Sequence, residues 1–371
     1  MKRLLPFSSI LLVAGALLTG CQQDPSSTGS PSVRPLTVHG GTSSAAHPAL
    51  TYEGSETYHG STYRTLAVMD TDGTHQTNIY GGHSMSASFW YNWGSWSPTG
   101  GAICFYQSNL NTSAPQDTLK AIDVSVNSSG TAVGSNVRTI YAFPNGDGST
   151  AGLAWSSTST MNKIAFVSAN ANNKINTLYI ISTTGGTPQK VCQIDGSTFV
   201  KENGSIVGHR MGLLYPTWSP DDHRLAVNRC DSSDVATGVT VANTIMIFNT
   251  TDNGSTWTYT DSIKTSSSAY PYNFSPFQSL DWSRSNGGID QLAFANSGSN
   301  ILYHCTPTTG STPTSIGVSG YAPVWSPNNS SILYYNTTNG DVSKITPFGT
   351  SVTNVISSPA IASIRQIRWK R

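Results

Sequence analysis

Charge is scarce in this chain. Only 11% of the 371 residues are Asp, Glu, Lys or Arg, and 20 basic side chains balance 19 acidic ones to a formal charge of +1. Nucleic-acid-binding proteins carry a basic excess or patch. Neither is visible here, and no nucleic-acid partner is expected. Glutamate, a strong helix former, is almost missing: Glu53, Glu56 and Glu202 are the three. That argues against a helix-rich fold. The longest apolar run, Ile10 to Leu18, is nine residues, well short of the roughly 20 that span a bilayer as a helix. The chain lacks a Gly-x-Ser-x-Gly elbow, a His-Glu-x-x-His pair and a Cys-x-x-Cys pair. The local signatures of α/β-hydrolases and common zinc sites are thus missing. What is present is 34 Gly, 19 Pro and 10% aromatics. This mixture suits short strands joined by turns, not disorder.

The first residues read as an export signal. Lys2 and Arg3 precede the short apolar run, and Leu18-Thr19-Gly20-Cys21 follows it. That tetrapeptide resembles the lipobox of bacterial lipoproteins. The resemblance implies cleavage before Cys21 and acylation of its sulfur and amine, an anchor far firmer than a single chain. Gln22 after the Cys resembles cargo sent to the outer membrane in Gram-negative hosts; in other hosts the outer face of the cell membrane is implied. The expected organisation is a signal peptide over 1–20, the lipidated Cys with a flexible tether over 21–47, and a folded domain over 48–371. The tether is rich in Ser, Pro and Gly.

The folded part repeats. Trp96, Trp155, Trp218, Trp282, Trp325 and Trp369 each close a short apolar segment, at spacings of 59, 63, 64, 43 and 44 residues. Ser follows five of them, and Ser-Pro-Asp or a relative follows three: Ser97-Pro98-Thr99-Gly100, Ser219-Pro220-Asp221-Asp222 and Ser326-Pro327-Asn328-Asn329. Pro presets the turn, Asp or Asn suits its second position, and a second strand begins. Two further strands around a Gly turn complete a four-stranded unit of propeller-blade size. Trp369 has no chain left to continue its unit. The segments Leu50–Tyr52, Arg64–Asp70 and Thr77–Tyr80 are three strands with no Trp strand before them. The expected fold is therefore all-β: a six-bladed β-propeller of four-stranded antiparallel blades, closed by the C-terminal strand joining the three N-terminal ones.

The recurring Trp-Ser-Pro-Asp unit resembles the PD40, or TolB-like, propeller family, over residues from about 48 to 371. It departs where the Pro is lost after Trp155 and Trp282. TolB itself carries an α/β domain ahead of its propeller, for which the roughly 26-residue tether at 22–47 leaves no room.

Function is less legible, because propellers host enzymes, lectins and scaffolds alike. The eight His are scattered, and neither a metal nor another cofactor is expected. His83, His209 and Asp281 lie near starts of inner strands. Asp147, Glu202 and Asp281 are the few acids placed to act on a glycoside. Cys104, Cys192, Cys230 and Cys305 fall in four different blades. Only Cys192 with Cys230 is a pairing to test; buried thiols are the alternative. The strongest hint is aromatic. Three long blade-to-blade connections are expected on one face. They hold Trp90, Tyr91 and Trp93; His209 and Arg210; and Tyr270, Tyr272 and Phe274. The reading is a non-catalytic protein-binding or scaffolding propeller on the envelope, anchored to membrane by its lipid. The alternative is a carbohydrate-binding protein or lyase-like polysaccharide-degrading enzyme working through the central channel.

Overall fold

The computed structural model describes residues 46–370, apart from 86–88, 110–116, 145–146, 171–174, 196–198, 203–204, 209, 233–239, 265–278, 285–287, 296–299, 348, 350 and 357–366. Cys21, the signal segment and the tether up to residue 45 lie outside these residues; Ala46 N donates to Gly130 O and His47 N to Asp70 Oδ1. No helix occurs among the described residues. Their strands form four four-stranded antiparallel sheets, one seven-stranded sheet that divides at a shared strand into two groups, and one small hairpin, Phe199–Glu202 with Ser205–Gly208.

We number the groups I to VI. In sheet I, Arg368–Trp369 pairs with Leu50–Tyr58, followed by Ser61–Met69 and Thr77–Gly81. The remaining innermost strands are Phe89–Trp96 (II), Asp147–Trp155 (III), Arg210–Trp218 (IV), Leu280–Trp282 (V) and Thr314–Trp325 (VI). The last is shared: its first part is also the outer strand of sheet V. Each innermost strand contacts the next, and Thr314–Trp325 contacts Arg368–Trp369. The seam is short, with Leu50 opposite Trp369 and Thr51 opposite Arg368.

Every innermost strand ends on its repeat Trp, and all six rings are at most 9% exposed. They anchor apolar clusters between neighbouring sheets. Trp96 packs with Leu66, Val68 and Phe105, and Trp218 with Ala165, Val167 and Leu225. Burying such a ring contributes several kcal/mol, so this one position carries much of the packing.

The Ser after each Trp has a fixed task. Ser97, Ser156, Ser219, Ser283 and Ser326 each accept, through Oγ, the N–H of the residue that opens the second strand or stands just before it, at 2.9–3.2 Å. Each such Ser also donates its own N–H to that residue's carbonyl. The turn is thus closed twice, which leaves no buried donor orphaned there.

The end of the motif has a second task. Asp222 and Asn329 stand in the left-handed region, at φ 59° and 57°. Asp222 reaches back to sheet III and accepts from Ser157 N at 2.5 Å, Thr158 N at 2.7 Å and Thr158 Oγ1 at 2.6 Å. Asn329 reaches back to sheet V, accepting from Arg284 N and donating to Arg284 O, both at 2.6 Å. In sheet II the same place is Gly100, where a Cβ would fall 1.9 Å from Lys370 Cε of sheet I. The turn that starts each of these sheets also clasps the sheet before it.

The innermost strands share a distortion. The residue three before the Trp has positive φ in four of them: Trp93 (63°), Gly152 (91°), Tyr215 (55°) and Ala322 (55°). Ladder registers shift across each of these points. These are β-bulges, which re-aim side chains where strands crowd together.

Candidate functional site

The hairpin tip of sheet I and the connection into sheet II make one exposed face. Leu50–Tyr58 and Ser61–Met69 pair to their ends, Tyr58 opposite Ser61. The two linking residues, His59 and Gly60, have φ of 48° and 77°. That is the primed two-residue turn whose twist matches the strands.

Tyr58 is 44% exposed yet held in place. Its ring stacks on His83 at 4.1 Å and 15°, and meets His59 edge-on at 4.2 Å. His83 is fixed in turn by Glu56, through His83 Nδ1 to Oε1 at 2.8 Å and His83 N to Oε2 at 2.9 Å. The His83 N–H holds the Glu56 carboxyl below the usual carboxylate range, helped by the His83 ring. Gly82 makes the approach possible: at φ 80°, a Cβ there would sit 2.3 Å from Glu56 Oε2.

Beside this cluster lies Trp90, with the Arg64 guanidinium 4.8 Å from its ring centroid. Buried Glu53 fixes Arg64 at 2.8 Å. The face therefore offers an exposed phenol, an imidazole and a half-buried indole under a guanidinium. All are pre-set by carboxylates beneath.

The other expected site residues fall differently. Phe89 to Trp93, read as a connection from sequence, is the beginning of the innermost strand of sheet II. Alternation and the pull of the Trp96 core extend the strand that far. Tyr91 is 1% exposed and packs edge-on against Tyr80 at 5.2 Å. Trp93 lies edge-on to Tyr215 at 5.4 Å and joins the clusters that hold Trp155 and Trp282. Arg210 opens the innermost strand of sheet IV, opposite Ser232. His209, Tyr270, Tyr272 and Phe274 lie outside the described residues.

Two described groups stand where the innermost strands approach one another. The Trp93–Tyr215 contact occupies one level. At the level of the residue before each Trp stands Asp281, 2% exposed. Its Oδ2 accepts from Trp325 N at 2.8 Å and Arg284 Nη2 at 3.1 Å, and Arg368 Nη1 lies 3.9 Å from Oδ1. This acid binds backbone and two guanidiniums. His83, the other described candidate for the channel, sits instead on the exposed face with Glu56.

Cysteine chemistry is quiet. Cys192 is a free thiol, so the Cys192–Cys230 bridge is not formed, and Cys104 and Cys305 are buried thiols. Burial pushes Cys192 up to about 11 and Cys305 to about 12. Neither is a thiolate at neutral pH.

No protein-family model matches the chain, and no curated protein does. Solved structures do. TolB from Acinetobacter baumannii is similar at a TM-score of 0.51 and 16% identity; the match covers 87% of this chain and 66% of that one. The chain thus spans just under two thirds of that TolB. A chain in the crystal structure of a nidogen/laminin complex is similar at a TM-score of 0.51 and 10% identity, covering 88% and 99%. At such identities the likeness is one of fold: the protein has a TolB-like β-propeller fold.

Proposed function

We propose that this protein is a non-catalytic scaffold, a six-bladed propeller closed at the Leu50–Trp369 seam and held on the bacterial envelope by a lipid on Cys21. Its binding face is the cluster of Tyr58, His59, His83, Trp90 and Arg64, and its partner is an envelope protein. One observation carries this reading: Tyr58 is exposed but held in place by His83 and Glu56. An aromatic ring fixed before the partner arrives loses little entropy on binding, and such rings dominate protein interfaces. The channel-based enzyme finds less support. It needs an accessible acid, whereas Asp281, one of the acids expected for it, is 2% exposed and engaged by Trp325 N and Arg284.

The test is site-specific photo-crosslinking in the host, with the crosslinker at position 58 of the full chain. A control carries it at position 259, where Tyr259 is 51% exposed on an outer strand. We expect one envelope protein to be captured from position 58 and not from 259, and the adduct to vanish with Cys21→Ser as the chain leaves the membrane fraction. Equal capture from both positions, or none, would overturn the binding face.

A further inference from the structure

We propose that a cavity between sheets VI and I binds a neutral saccharide of one or two rings. The site stands apart from the Tyr58 face and does not depend on it. Trp369 lines the cavity and lies opposite Leu50, at the start of the strand whose far end is Tyr58. At ~3.3 Å per residue, Tyr58 is roughly 26 Å along that strand from Leu50.

The cavity measures about 580 Å³, the size of a small-molecule site. Two turns and two strands build it. Thr71 and Asp72 belong to the turn after Ser61–Met69 in sheet I, and Asn328 and Ser330 to the turn after Thr314–Trp325 in sheet VI. Lys344 and Thr353 stand opposite each other on the outer strands of sheet VI, Val342–Ile345 and Val352–Ile356. Trp369 and Val355 supply apolar lining, and both pack in the same apolar cluster.

The polar groups are fixed at one atom and open at another. Asn328 Oδ1 accepts from Ser330 Oγ at 2.7 Å, Ser326 Oγ at 2.9 Å and Ser330 N at 3.1 Å. Its Nδ2, a double donor, has no acceptor among the described residues. Asp72 Oδ1 accepts from Thr74 Oγ1 at 2.6 Å and Thr74 N at 3.0 Å, and Oδ2 stays an open acceptor among the described residues. The Thr74 hydroxyl holds this carboxyl below the usual carboxylate range. Lys344 is exposed, and its Nζ has no partner among the described residues.

One carboxylate and one ammonium cancel, so the cavity exerts no net pull on an ion. An apolar ligand would cover these groups without pairing them, at a cost for each. A sugar presents adjacent hydroxyls, each donor and acceptor at once. They match the Asp72 Oδ2 acceptor and the Asn328 Nδ2 and Lys344 Nζ donors, while ring C–H groups meet Trp369 and Val355. Side chains fixed in advance lose little entropy when the ligand arrives.

The experiment is saturation-transfer difference NMR on the full chain in detergent, offering maltose, cellobiose, lactose and N,N′-diacetylchitobiose. Glucuronate and glucosamine are the charged comparisons. We expect a saturable signal from at least one neutral disaccharide, stronger than from either charged sugar. It falls at least about fivefold, the worth of one hydrogen bond, in Asp72→Asn. That variant keeps the Oδ1 acceptor of the turn and makes a donor of the other atom. Tyr259→Ala, on an outer strand of sheet IV, leaves the signal unchanged. If Asp72→Asn loses its near-ultraviolet circular dichroism, Lys344→Ala replaces it and the same fall is required. No saturable signal from any neutral disaccharide, a preference for a charged sugar, or equal signals in the native chain and the folded variant would overturn the site.

Discussion

Gly152 is a position where the backbone of one sheet touches that of the next. A Cβ on it would lie 2.7 Å from Tyr215 Cα and 2.9 Å from Tyr215 N. Its φ of 91° adds conformational strain to any substitution. Gly186 offers a control, because its φ is 111° and nothing lies within 4 Å of a built Cβ. Gly186→Ala is expected to cost about 1 kcal/mol, from backbone strain alone. Gly152→Ala is expected to cost about 3 kcal/mol or more, because backbone must move as well. Equal shifts in urea midpoint for the two would contradict the close approach. At the neighbouring bulges the positive φ is carried by Trp93, Tyr215 and Ala322. No residue-type signal marks those three, so the bulges are invisible in sequence except at the glycine.

At the scale of the element, the Trp-closed strand and its turn were legible, because two independent signals coincide there. A large ring must be buried, and Ser-Pro-Asp must turn. The pairing of Leu50–Tyr58 with the Trp369 strand was legible from an incomplete unit at each end. The Phe89 to Trp93 stretch was misread as a connection, since aromatics and Asn suit a binding loop and a strand end alike. The clasp made by Asp222 was not legible either. Sequence presents it as a turn former, and its partners Ser157 and Thr158 belong to the preceding sheet. Of the Arg284–Asp281–Arg368 group, sequence marked Asp281 alone; Arg284 shows only as an Arg where a Pro is usual, and Arg368 belongs to another sheet. The clasp is testable. Asp222 is 1% exposed and accepts three hydrogen bonds as a carboxylate. Asp222→Ala is expected to cost about 3 kcal/mol, measured by denaturant unfolding. Asp222→Asn, which copies Asn329, should cost about 1 kcal/mol. A loss below about 0.5 kcal/mol in the Ala variant would remove the clasp from the account.

For the whole molecule, pH stability follows from groups on opposite sides of neutrality. Thr256 holds Asp252 down, Arg138 holds Asp123 down, the Thr74 hydroxyl holds Asp72 down, and the His83 N–H holds Glu56 down. These carboxyls bind fewer protons folded than unfolded. Their contribution is present above about pH 4, the unfolded range, and disappears as pH falls through the folded values. They are solvent-exposed, so each effect is small and screened by salt. Burial raises Tyr52, Tyr91 and Tyr106. That contribution is present below about pH 10 and is lost as pH rises through the folded values. The melting temperature is therefore expected to be level between about pH 6 and 9 and to fall on both sides. A melting temperature highest below pH 4 would contradict this.

The seam has one more consequence. Lys370 N donates to Ala49 O, and Leu50 lies opposite Trp369. The two ends of the described fold are therefore neighbours, and the order of sheets is a circle cut at an arbitrary point. Joining 370 to 46 by a few residues and opening the chain between two other sheets would leave every strand pair intact. A set of such rearranged chains, each beginning on a different sheet, would place the Tyr58 face at a different sequence distance from the N-terminus without changing its contacts.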